Sequence, residues 1–463
     1  MEWLQQLSDG MNSILWGPVM ILFMVGVGVY FTLFTRCFQL TRWKEIWHNT
    51  IATLFARKGK KEKKKGEITP FQAMSTALAG TIGTGNIAGV ATALVAGGPG
   101  SVFWMWISGA FGMMTKYAEV VLAMHYRNIN KKGEYSGGPM QYIEKGLGMR
   151  WLSVVFSVLC IMASFGVGNM TQVNSIAEAM FSALHIPPVV TGAVVALICG
   201  LVLLGGSKII PKVTEKVVPF MTVFYLLGTI VCLLVFWKQI PKALSLIFAG
   251  AFTPTAAAGG VAGYTVRQAV QFGVARGVFT NEAGLGSAPI AHAASSNQNP
   301  VTQGMWGIIE VFIDTILMCT ITALVLLTAG DGTIWMCGLD GAALTTAAFS
   351  SVFGSFGGMF IAVAILFFAV ASILGWAFYG QKAMEYIFKD NKQSALLYRF
   401  FYIAVIFLGA TANLKVVWSM ADTFNGLMSL PNLLAILVLS PVVFRITGKY
   451  QKNKKEKNEK GVK

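Results

Sequence analysis

Charge is scarce in this sequence. Asp, Glu, Lys and Arg together make up 12% of its 463 residues, against about 25% in an ordinary soluble chain. Acidic residues number 20 and histidines four. No HxxxH, HExxH or CxxC spacing occurs, so a metal centre has no ligand pattern to rest on. There is no G-x-S-x-G elbow and no Walker loop, so neither a hydrolase nor an ATP-driven pump is indicated. The six cysteines (Cys37, Cys160, Cys199, Cys232, Cys319 and Cys337) mostly fall in apolar runs and read as small apolar side chains. Nothing points to an enzyme.

Apolar sequence fills the space. Hydrophobic residues make up 55% of the chain, in runs long enough to cross a hydrocarbon core. Eleven spans are expected: 14–35, 71–96, 101–124, 152–181, 189–206, 217–237, an interrupted 241–277, 305–329, 357–380, 397–413 and 417–445. The first has no basic residue ahead of it and is too long for the apolar core of a signal peptide. Lys and Arg gather in alternate loops. Segment 36–66 holds ten of them, Arg127 to Arg150 five, and further groups lie at 208–216, 382–399 and beyond Arg445. The intervening loops 97–100 and 330–356 hold none. This alternation predicts a multi-pass plasma-membrane protein with an outside N-terminus and a cytoplasmic C-terminus. The net charge of +16 is then topology and attraction to anionic lipid, not a nucleic-acid surface. No obligate protein partner is evident.

Two spans contain what a membrane helix should not. Thr69 and Pro70 make a sound helix start for the second. Its middle, Gly80-Thr81-Ile82-Gly83-Thr84-Gly85-Asn86, holds three glycines, two threonines and an asparagine. Each glycine costs about 1 kcal/mol of helix propensity relative to alanine, so unwinding is expected here. Close packing through Gly85 and Gly89 is the alternative. Unwinding at mid-membrane is tolerated where backbone lines a cavity. The freed N–H groups suit a carboxylate and the freed C=O groups suit Na⁺. A second break is expected at 255–264, five spans later. Paired breaks in two halves point to an inverted-repeat carrier with its site at the midplane.

Three stretches, GTIGTGNIAGVATA from Gly80, GVARGVFTNEAGLGSAPIAHAAS from Gly273 and ILGWAFYGQKA from Ile373, closely resemble the alanine or glycine:cation symporter family. The resemblance spans essentially the whole chain. It implies an all-α, leucine-transporter-type fold of five-plus-five inverted repeats, with one extra N-terminal helix. Residues 1–66 would be that helix and a basic loop. Residues 67–237 and 238–445 would be the repeats, and 446–463 a basic cytoplasmic tail. It also implies symport of a small neutral amino acid, alanine or glycine and in some members glutamine, with Na⁺ or occasionally H⁺. Gln381 stands where family members often carry Glu.

By the same resemblance, Thr81, Gly83, Thr84, Gly85 and Asn86 would meet the substrate, with Gly83, Thr84 and Gly85 offering N–H groups to its carboxylate. Ala79 and Ile82 would offer carbonyls to Na⁺, with Ser372 completing the ion site. Ser372 could equally bond back to its own helix. Asn169 and Gln172 share a helical face in an apolar span and either line the cavity or glue helices. Trp376 could wall the pocket, and Val261 and Tyr264 could set its size. Glu310 and Asp314 either relay protons or form with Arg276 an ion-pair cluster that closes the inner gate, the reading expected here, and Lys116 is expected to pair with Glu119. A channel or amino-acid sensor on the same fold is the rival reading. Polar residues gathered at breaks, not along whole spans, favour an occluding carrier.

Overall fold

The computed structural model describes residues 2–55, 67–131, 133–253, 265–412 and 414–460. Among the described residues the only paired strands are Asn128–Ile129 and Tyr135–Ser136, an antiparallel hairpin; the rest is helical or loop. Five described helices are long and apolar enough to cross a bilayer: Arg150–Leu184, Ile210–Val235, Pro300–Gly332, Ser355–Ile387 and Val417–Val438. A bent pair, Gln5–Leu15 and Pro18–Phe34, makes a sixth. Their outer faces require lipid. The Pro188–Leu204 helix buries Val195, Cys199 and Leu203 yet leaves Leu197 and Leu201 65% and 71% exposed. Such an apolar rim is unfavourable in water and suited to hydrocarbon.

The expected first span, 14–35, is not one straight helix. The chain turns by 45° between Leu15 and Pro18, because proline has no N–H to continue the ladder. The helix before the bend, Glu2–Leu15, packs on Leu414–Val438. Asn12 donates to the Ser419 carbonyl at 2.8 Å and the Trp16 indole N–H to the Asp422 carbonyl at 3.1 Å.

The second expected span does break where its glycines predict. Pro70–Thr81 is a half-helix, opened by a reciprocal Thr69–Gln72 capping box. A 3₁₀ turn, Thr84–Asn86, and a second half-helix, Ala88–Gly97, follow.

The break expected in the seventh span, at 255–264, lies outside the described residues, and Val261 and Tyr264 with it. The described chain on either side reaches one turn, not the first break. Gly250 abuts Gly100, and Gln268 and Phe272 abut Gly97. That turn begins the 27-residue helix Gly100–Tyr126. The helix Val266–Asn281 then runs down alongside it, Gly273 against Ser101 and Gly277 against Ser108. It stops at Glu282–Ser287, beside Gly112 and Thr115, and a short helix Ala288–Ala293 follows. Gly112 lies ~18 Å down the helix from Gly100, close to half its length. Among the described residues, the discontinuity that faces the middle of the Gly100–Tyr126 helix is therefore 282–287. Glu282, Gly284 and Gly286 have φ of 54°, 94° and 81°, a left-handed run that only glycine adopts freely at its last two positions.

Three further features escape hydropathy. The expected loop 330–356 contains a helix, Gly341–Phe353, packed on Ala88–Gly97 and Ser355–Ile387. Thr345 in it donates to the Ile87 carbonyl at 3.1 Å. Two long spans also carry wide turns of π type, Gly166–Met170 and Phe312–Cys319, which release carbonyls from the regular ladder.

The loops rich in Lys and Arg meet on one face. Glu134, in the hairpin, accepts from Lys208 Nζ at 3.1 Å and lies 3.4 Å from Lys382 Nζ. Partial burial pushes the Glu134 carboxyl up, but Lys382 and Lys208 outweigh it and hold it below the ordinary carboxylate value. A depressed carboxylate stabilises the fold above its unfolded pKa, and that contribution disappears as pH falls through the folded value.

The break is held by backbone-to-backbone approach. A Cβ at Gly375 would lie 2.6 Å from the Gly80 nitrogen. Gly375→Leu is therefore expected to force the Ser355–Ile387 helix off the first half-helix, costing about 1–3 kcal/mol or more. The thermal midpoint of the purified protein in detergent measures this, and a midpoint equal to the parent's contradicts the contact.

Candidate functional site

The site begins with an interrupted hydrogen-bond ladder. Ile82 N donates to the Leu78 carbonyl at 2.8 Å, the last regular bond of the first half-helix. Gly83 N, which would continue to Ala79, donates instead to Asn86 Oδ1 at 3.1 Å. Thr84 N and its hydroxyl turn to Gln172 Oε1 at 3.4 and 3.3 Å. The carbonyls from Ala79 to Ile82 thus lack helical donors, as at any helix C-terminus. One of them is met from across the bundle: Ser372 Oγ donates to the Gly80 carbonyl at 3.2 Å. Ser372 therefore does not bond back to its own helix, and its oxygen keeps lone pairs beside the freed carbonyls. Tyr379 Oη donates to the Ala77 carbonyl at 3.2 Å, anchoring the same helix end.

Asn86 has the larger structural role. Its amide nitrogen donates to Asp314 Oδ1 at 2.7 Å and to the Asp314 carbonyl at 3.1 Å. Asp314 is fully buried and its other oxygen accepts from Thr315 Oγ1 at 2.8 Å. The wide turn Phe312–Cys319 brings this carboxylate to the break. Arg276 does not reach it.

The glycines of the break are there for room, not torsion. None of Gly80, Gly83 and Gly85 has positive φ. A Cβ at Gly83 would lie 3.2 Å from both Gln172 Oε1 and Ser372 Oγ, and one at Gly85 would lie 2.9 Å from Thr280 Cγ2. Through that last contact the first break touches the end of the Val266–Asn281 helix, just before 282–287. The sequence carries the signal in NEAGLGS, inside the second of its long motifs, but its glycines are fewer than those of the alanine-rich run before it.

Of the remaining expectations, Gln172 reaches the break and Asn169 does not. The Gly166–Met170 wide turn separates their directions: Asn169 Nδ2 donates to the Tyr402 carbonyl at 2.8 Å, while Gln172 Nε2 ties back to Val167 at 3.0 Å. Thr81 bonds back to Leu78 at 3.3 Å. Ala79 and Ile82 are buried at the helix end. Trp376, one helical turn beyond Ser372, packs over Gly168 and is fully buried. Its indole N–H and Asn169 Oδ1 have no partner.

The two expected ion pairs are rearranged. Lys116 Nζ lies 3.3 Å from Glu310, not against Glu119, and Glu310 also bonds His292 Nε2 at 2.8 Å. Glu119 Oε1 instead accepts from Gly284 N and Gly286 N, both at 3.1 Å, and from Asn432 Nδ2 at 2.5 Å. The left-handed turn at 284–286 points these N–H groups at one oxygen, so Glu119 fastens the second break.

A sequence profile described as the sodium:alanine symporter family matches residues 1–463. The chain belongs to the sodium:alanine symporter family. It is 44% identical over 458 residues to the sodium/alanine symporter AgcS of Methanococcus maripaludis, covering 98% of each chain. It is 37% identical to the probable sodium/glutamine symporter GlnT of Bacillus subtilis, covering 96% of this chain and 90% of that one. Among solved structures, its fold is similar to a Na⁺-coupled sialic acid symporter (TM-score 0.56, 14% identity, 92% and 87% covered). It is likewise similar to MhsT in complex with L-phenylalanine (TM-score 0.56, 12% identity, 83% and 99% covered). These are leucine-transporter-type carriers. Members of the sodium:alanine symporter family are transporters, not enzymes.

Two outcomes follow from this packing. Gly85→Ala should lose uptake through collision with Thr280 Cγ2, and adding Thr280→Ser, which lacks that methyl, should restore it; failure of the rescue in a protein that still inserts contradicts the contact. Lys116→Met should destabilise the protein by about 3–5 kcal/mol by stranding a buried Glu310. Adding Glu310→Gln should recover part of that loss, read as detergent thermal midpoints.

Proposed function

We propose that this chain is a sodium-driven symporter of a small neutral amino acid that works by alternating access. The observation that carries the proposal is the open carbonyl end at Ala79–Ile82 with the Ser372 hydroxyl beside it. These are oxygen donors with no cationic side chain among their hydrogen-bond partners, the set a Na⁺ ion takes up at a half-helix terminus. The ion and the amino acid are both cargo. In this reading Gly83, Thr84 and Gly85 receive the substrate carboxylate. The Asn86 amide and Gln172 now hold the N–H groups of Gly83 and Thr84 and release them as substrate enters.

Val261 and Tyr264 were expected to size the substrate side chain. Phe279 and Thr280, which border Gly85, are the residues we now assign to that task, with Trp376 as a second wall. The Phe279 ring and the Thr280 methyl group close to Gly85 limit the room there, which supports alanine or glycine ahead of glutamine. The relatives' names divide on this point, sodium/alanine for one and sodium/glutamine for another. A further relative, from Bacillus subtilis, is described as a putative sodium/proton-dependent alanine carrier, so H⁺ is the alternative coupling ion. We also propose eleven spans and two inverted repeats, 67–237 and 238–445, with breaks at 80–86 and 282–287. The face that gathers Glu134, Lys208 and Lys382 is assigned to the cytoplasm by its excess of positive charge.

Purified protein in liposomes should take up labelled alanine under an inward Na⁺ gradient and lose that uptake when K⁺ replaces Na⁺. Uptake of alanine, glycine and glutamine that ignores both the Na⁺ and the pH gradient would falsify the proposal. Ser372→Ala should raise the Na⁺ concentration for half-maximal uptake by about three- to tenfold, the loss of one oxygen contact. An unchanged Na⁺ dependence would remove Ser372 from the ion site.

A further inference from the structure

A second cavity lies one aromatic layer from the break. It measures about 150 Å³ and sits between the helices Glu2–Leu15, Val266–Asn281 and Leu414–Val438. Trp16, Phe272 and Phe279 form much of its wall, and Arg276, Asp422 and Gln271 supply its polar groups. Phe279 is shared with the site below. One edge of its ring would lie 3.6 Å from a Cβ at Gly85, and it packs against Trp418 with centroids 5.7 Å apart and the rings tilted by 33°.

Asn12, also in the lining, is bonded to Ser419 and Thr423, but the two charged groups lack such partners among the described residues. Asp422 Oδ1 is buried and has no hydrogen-bond partner. Among the described residues no ion pair within 4.0 Å engages Arg276, whose guanidinium carbon stands 5.7 Å from the Phe279 ring centre. Opposite charges thus face one small cavity without closing on each other. Leaving a carboxylate oxygen buried and unbonded is costly unless something completes it. A gate made of these two residues would bring them into contact. A small zwitterion needs the opposite arrangement, with an anion for its ammonium, a cation for its carboxylate and space between.

We propose that this cavity is a second amino-acid subsite, which holds the zwitterion between Arg276 and Asp422 before it passes Phe279 and Trp418 to the break. The inference rests on the amino-acid reading of the first site and adds a place that reading does not need. The apolar wall sets only a loose limit on side-chain size, so selection is left to the break.

The test is the stoichiometry of L-alanine binding to the purified chain, by equilibrium dialysis at saturating Na⁺. The wild type should bind a second equivalent of alanine. Arg276→Gln and Asp422→Asn should each weaken that second equivalent by about tenfold or more and leave the first in place. Retention of the first equivalent shows that the variant is folded. Ala275→Phe fills the cavity without altering either charge and should also remove the second equivalent. It decides the matter if the charge variants do not fold. One equivalent in the wild type, or a second equivalent undiminished in Ala275→Phe, would overturn the subsite. No alanine binding and no uptake in the wild type would instead overturn the amino-acid reading itself, a separate outcome.

Discussion

An interrupted helix in the middle of a bilayer has no water to complete its backbone, and this protein's architecture answers that constraint. The first break is satisfied from three directions. Asn86 folds back on Gly83 N, Gln172 reaches Thr84, and Ser372 donates to Gly80. The second is satisfied from two more, as Glu119 and Asn432 close on Gly284. All of these side chains but Asn86, which belongs to the break itself, come from helices packed around the breaks, and glycines at 80, 83, 85 and 375 leave the room for close approach. In the proposed function, holding the backbone by side chains that can let go, where a helical ladder could not, would make a binding site out of a defect.

The charges serve the same end. Lys116, Glu310 and His292 form a dry chain, and Glu119 is tied to backbone N–H groups a turn away. Removing one member strands another, so the cluster acts as a unit. It fixes the second break relative to the Gly100–Tyr126 and Pro300–Val311 helices, while the first break hangs from Asp314 through Asn86. Both breaks are thus tied to the Pro300–Gly332 span, the second through Glu310 and the first through Asp314.

The sequence made the fold class and the first break legible because both are written in local composition, a lack of charge and a run of Gly, Thr and Asn. The second break was not legible by the same rule. The run at 255–264 is richer in small residues than Glu282–Ser287, yet the described chain on either side of it lies at the end of the Gly100–Tyr126 helix. What marks 282–287 is a left-handed turn against Glu119, a tertiary relation. The pairings of Lys116, Glu119 and Arg276 failed for a related reason. Helical spacing brings Lys116 and Glu119 within reach, but burial lets each take a better partner from another helix. Asn169 and Gln172 were separated by a wide turn that no hydropathy pattern reports. Ser372 could be placed beside the first break because a lone hydroxyl in an apolar span has few partners to choose from.

The central claim is that the Ala79–Ile82 helix end and Ser372 form a sodium site. Its most direct test is the thermal midpoint of the purified protein titrated with NaCl against KCl at constant ionic strength. A ligand that binds only the folded state raises the midpoint by mass action. The account predicts a saturable rise with Na⁺ that K⁺ does not produce and that Ser372→Ala shifts to higher Na⁺ concentration. Equal responses to the two salts in both proteins would contradict it.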